Sequence, residues 1–115
     1  MKVEFRNQEL DVQIREYDNN RPALQLFDET NFPFAIATVN LPEIDIPKGF
    51  VAIKNYSENV GMLEALKAAG IIREVHSYYP SGHVQIPICA LSTEAYEEVY
   101  GIKPTEDEEL IEQAQ

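Results

Sequence analysis

The sequence predicts an α+β fold: a mainly antiparallel sheet of about six strands with two helices and a short acidic C-terminal helix or tail. Three observations lead there. The first two-thirds of the chain alternates apolar and polar residues in short runs. Turn formers (Asp, Asn, Gly, Pro) separate those runs. The helical patterns come late and do not alternate regularly with strands, which disfavours a doubly wound parallel sheet.

In Leu10-Asp11-Val12-Gln13-Ile14-Arg15 the period is two, that of a half-buried strand. The cluster Asp18-Asn19-Asn20-Arg21-Pro22 then turns the chain. Residues 23–27 alternate again, so the two runs predict a hairpin. Residues 34–41 carry apolar side chains on both faces, as expected of a central strand covered on both sides. Pro42 and Pro47 bracket a loop before a fourth strand at residues 50–53.

The helical signal is centred on residues 55–70. Asn55 and Glu58 stand at capping-box spacing, Leu63 and Leu66 recur at helical period, and Gly70 suits the helix end. Gly61 within this span costs about 1 kcal/mol, unless the helix begins after it. Two further strands follow at residues 72–79 and 83–91, joined by the turn Pro80-Ser81-Gly82. Pro87 cannot donate to a ladder, so its strand is expected at an edge or with a bulge. Ser92 reads as the N-cap of a helix over residues 93–100, ended by Gly101 and Pro104. The pattern Thr105-Glu106-Asp107-Glu108 suits a short terminal helix. The division expected is one α+β domain over residues 1–104 and an acidic appendage over 105–115.

The net charge is −11, with 20 acids and 9 bases, which excludes direct nucleic-acid or anionic-membrane binding through a basic patch. Residues 92–115 hold 8 of the acids against Lys103 alone. Glu94, Glu97 and Glu98 stand at i, i+3 and i+4, so they share a helix face, and Glu106, Asp107, Glu108, Glu109 and Glu112 continue the charge. Carboxylates four residues apart on a helix lie about 6 Å apart along its axis. That is close enough to phosphate spacing to compete for the basic cleft of a nucleic-acid-binding protein. The alternative is a solvated face that keeps the chain dispersed.

No P-loop, GxGxxG, GxSxG or HExxH occurs, and the chain is read as a non-enzyme without cofactor or metal. Weaker candidates remain. Tyr56, Ser57, Glu58 and Asn59 form a polar cluster before an apolar helix, either a ligand loop or a cap with a tyrosine lid. Ser81 and His83 read as turn residues before they read as a catalytic pair. His76 and His83 with Glu74 have the residue types of a metal site if the histidines face each other across a hairpin, but surface histidines are the plainer reading. Cys89, the one cysteine, lies in an apolar run and reads as core. Of Tyr78 and Tyr79, adjacent in a strand, one points outward and suits an interface, and Tyr79 joins the partner-binding set. A homodimer through an exposed strand edge is a further reading. The opening MKVEFRNQEL lacks the apolar stretch of a secretory signal, and no run spans a bilayer, so a cytoplasmic setting is expected.

The segments TVNLPE (38–43), IKNYSENVGMLEAL (53–66) and HVQIPICAL (83–91) resemble a family of small acidic proteins of unknown function from bacterial conjugative and phage-like mobile elements. Its most distinctive part is the core Tyr56, Ser57, Glu58, Asn59, Gly61, Met62 and Leu63. The resemblance implies a genomic setting and supplies no catalytic residues. Within that setting, the acidity suggests an inhibitor of a host nucleic-acid-targeting defence protein.

Overall fold

In the computed structural model, which describes residues 1–104, the strand runs pair into two antiparallel sheets. The first has the order β1-β2-β3-β4, with β1 Lys2–Phe5, β2 Gln8–Glu16, β3 Pro22–Phe27 and β4 Pro33–Ile36. The second has the order β5-β7-β6, with β5 Phe50–Ala52, β6 Ile72–Ser81 and β7 Val84–Leu91. Helix α1 is Met62–Ala68 and α2 is Thr93–Tyr100.

The α+β class holds, but the sheet expected as one unit of about six strands is seven strands in two sheets. The sheets are sewn together where the chain leaves β4. Ala37 donates to Leu24 in β3, Thr38 forms a bridge with Ile53, and Lys54 donates back to Ala37. The strand expected over residues 34–41 is therefore divided. Its first part is the edge strand β4, and its second part is the seam. A register shift between Leu26 and Phe27 lies at the other end of β4, between its Ala35 and Pro33 rungs.

The strand β1 has no counterpart in the alternation read from sequence. Four residues are too few to show a period, and its tight turn contains no glycine. Arg6 and Asn7 both take positive φ, 54° and 63°, the conformation that a two-residue hairpin requires.

The helix expected over residues 55–70 is shorter. Gly61 sits at φ 95°, which no α-helix accommodates, so a single 3-10 turn, Ser57–Asn59, precedes it and α1 follows. Asn55 still caps α1, across a longer span: its Oδ1 accepts from Leu63 N at 2.9 Å. The strand containing Pro87 is central, and the bulges lie on its neighbour β6, at Ile72/Glu74 and Val75/Ser77. Pro87 is tolerated because the β5 ladder stops at the Ala52–Ile88 pair. At the next position the Pro87 carbonyl accepts from Ile53 N at 3.0 Å, and proline cannot return the reciprocal bond, so its missing donor falls at the end of the β5 ladder.

The main core fills the space between the sheets and α1. Leu10, Leu24, Leu26, Ile53, Met62, Leu66 and Leu91 there are fully buried. Each such side chain stabilises the fold by about 1.5–3 kcal/mol. A second cluster lies on the far face of the second sheet, where Leu41 covers Phe50, Ile86 and Ile88. Its covering loop is held by Arg21, whose guanidinium donates to the carbonyls of Leu41 and Ile44 at 2.7 and 2.6 Å. No described helix is long and apolar enough to cross a membrane.

Candidate functional site

Residues 54–61 connect β5 to α1 and contain the polar cluster singled out in the sequence. Ser57 takes φ 55°, the left-handed region, which turns the chain back toward the first sheet. Asn59 is thereby carried inward and is 1% exposed. Its Nδ2 donates to the Ile36 carbonyl at 2.7 Å. Glu58 faces outward. Lys54 Nζ lies 2.8 Å from its carboxylate, and the Arg6 guanidinium donates to its backbone carbonyl. The hydrogen bond from Lys54 holds the Glu58 carboxyl below its ordinary range, and the same bond raises the Lys54 ammonium. The stabilisation belongs to the ionised carboxylate and is lost as pH falls through its lowered pKa; exposure to solvent keeps it small. Tyr56 packs on the second core cluster.

The segment thus acts as a clasp. It ties the turn after β1, through Arg6, and β4, through Ile36, to the start of α1, through Asn55. The ligand-loop reading required a hollow lined by Tyr56 and a histidine. Four surface depressions, one of about 330 Å³ beside Lys2, Gln8, Asp11 and Asp28, lie elsewhere: none of these four is lined by residues 55–59 or by a histidine.

The other weak candidates are separated by the hairpin of β6 and β7. Ser81 pairs with Val84, which leaves Gly82 and His83 as the turn. His76 lies six residues before that turn, with its ring 5.1 Å from the Phe50 ring centre, so the two histidines do not face each other. Glu74 Oε1 is buried without a hydrogen-bond partner. No group of three His, Cys, Asp or Glu among the described residues could hold a metal ion. Cys89 is fully buried, and burial pushes its thiol up to about 12, with Lys67 opposing. At neutral pH it is a protonated core group, not a nucleophile.

Of the two tyrosines on β6, Tyr78 is the outward one, 57% exposed. Tyr79 turns the other way, packs on the second cluster and donates to Glu43 Oε2 at 3.2 Å. Tyr79 is half-buried, and its hydroxyl bond to Glu43 lies at the surface. Burial, then the carboxylate of Glu43, raises its phenol.

Helix α2 matches its expected limits. Ser92 Oγ accepts from Ala95 N at 3.1 Å, and Gly101, at φ 75°, closes the other end on the Glu97 carbonyl. Its inner face buries Ala95 and Tyr96. Tyr96 and Tyr100 pack with centroids 4.6 Å apart and ring planes tilted by 52°, and Lys48 Nζ lies 4.9 Å from the Tyr100 ring centre. Gly49 N donates to the Tyr100 hydroxyl at 3.1 Å. The opposite face carries Glu94 and Glu98, both exposed, with Glu97 half-buried beside them. Neither ion pair found between described residues, Lys2–Asp11 or Lys54–Glu58, involves these three. The structure therefore brings Glu94, Glu97 and Glu98 together. Glu106, Asp107, Glu108, Glu109 and Glu112 lie outside the described residues.

Sequence reading missed the anchor of this helix. Lys48 and Gly49 look like loop residues after Pro47, and their role depends on a contact with Tyr96 and Tyr100 about fifty positions away. No protein-family model, curated protein or solved structure matches the chain.

Proposed function

We propose that the chain is a non-enzymatic binding module of a mobile element. In this reading it inhibits a host nucleic-acid-targeting defence protein, of anti-CRISPR or anti-restriction type, by laying an acidic surface in that protein's basic cleft. One observation carries the reading: Glu94, Glu97 and Glu98 stand without described ion-pair partners on a helix fixed from behind by Tyr96 and Tyr100. A helix already folded and anchored holds the three carboxylates on one face without a backbone ordering cost, and their charge steers association with a cationic groove. The acids of residues 106–112 continue the same charge along the sequence. The mobile-element setting comes from the resemblance around residues 56–63, and a cytoplasmic location follows from the same reading.

The test is capture of a partner from host lysate at low and at high salt, followed by competition with nucleic acid for the captured protein. Charge mimicry requires that binding weaken steeply with salt and that nucleic acid displace the chain. Binding indifferent to salt, at a site that nucleic acid does not share, overturns it. A second reading, a homo-oligomeric accessory protein, is favoured by the exposed Tyr78 on the outer strand β6. The two bulges in β6 weigh against edge pairing. Light scattering separates the two readings.

A further inference from the structure

We draw no further inference here: the strongest candidate, the exposed apolar patch of Ile36 and Val60 where β4 meets the Asn59 clasp, carries nothing because nothing in the structure shows what covers it.

Discussion

The side-chain amide of Asn59 reaches across from the segment before α1 and donates to the main-chain carbonyl of Ile36, 23 residues away in β4, at 2.7 Å. Ile36 is the last residue of an edge strand, so its carbonyl has no further strand to pair with. Asn59 supplies the missing donor from a buried position. The polar segment before α1 thus joins the first sheet to the α1 region, which gives Asn59 a structural role.

Replacing that amide tests the clasp directly. Asn59→Ala removes the hydrogen bond that ties the segment to β4 and truncates a buried side chain, at a cost of about 0.5–1.5 kcal/mol for the bond. The urea midpoint should fall accordingly with an unchanged slope. Ser57→Gly should hold or raise the midpoint, because glycine relieves the cost of φ 55° and the Ser57 hydroxyl makes no described bond. Equal losses from both substitutions would contradict a clasp in which Asn59 does the tying.

The packing of α2 yields a second expectation. A Cβ placed on Gly49 would lie 3.1 Å from Tyr96 Cε2, and the backbone there has φ 96°. Gly49→Ala must both adopt a strained conformation and displace a buried ring, so it should cost about 1–3 kcal/mol. The near-ultraviolet circular dichroism of the tyrosines should change with it. Lys48→Ala removes only an exposed cation from above the two rings and should cost about 0.5–1 kcal/mol. Thermal unfolding of both variants checks the ranking.

What was legible in the sequence had a local cause. The β2 and β3 hairpin shows in its alternation, and α2 in its serine cap and terminal glycine, because each signal lies within a few residues of what it specifies. The division into two sheets was not legible. It depends on Thr38 meeting Ile53 and on Lys54 donating to Ala37, contacts between backbone groups that no side-chain pattern records. The turn at Arg6 and Asn7 escaped notice for a related reason. Arginine is a poor choice for positive φ, and here it is accommodated with its guanidinium over the Phe5 ring and bonded to the Glu58 carbonyl. At the candidate site, the shared face of Glu94, Glu97 and Glu98 followed from helical period alone. The contact of Tyr79 with Glu43 joins residues 36 positions apart, which sequence spacing does not reveal.

Cys89 provides a pH expectation. Its folded pKa of about 12 exceeds the ordinary thiol value of 9.0, so the native state holds the proton more tightly than the unfolded chain. Between those values the unfolded state binds fewer protons, and stability therefore falls as pH rises from about 9 toward 12. Below pH 9 the thiol contributes no slope. Cys89→Ala should remove this part of the alkaline dependence, measured by urea titration at several pH values. The folded protein should also resist DTNB at neutral pH and react once urea unfolds it. Rapid labelling of the folded chain would show that the thiol is not enclosed.

Charge reversal is the decisive test of the proposed function. The variant Glu97→Lys, Glu98→Lys, Glu108→Lys, Glu109→Lys should abolish binding to the basic partner. Loss of fold does not explain such a result. Glu98→Lys places a lysine four residues after Glu94, a pairing that stabilises a helix by about 0.2–0.5 kcal/mol where two glutamates repelled each other. Glu97→Lys puts a cation in the second half of α2, which suits the helix dipole. The buried Ala95 and Tyr96 are untouched. The variant should therefore melt no earlier than the parent while losing its partner. A variant that folds, melts like the parent and still binds would eliminate the carboxylate surface as the point of contact.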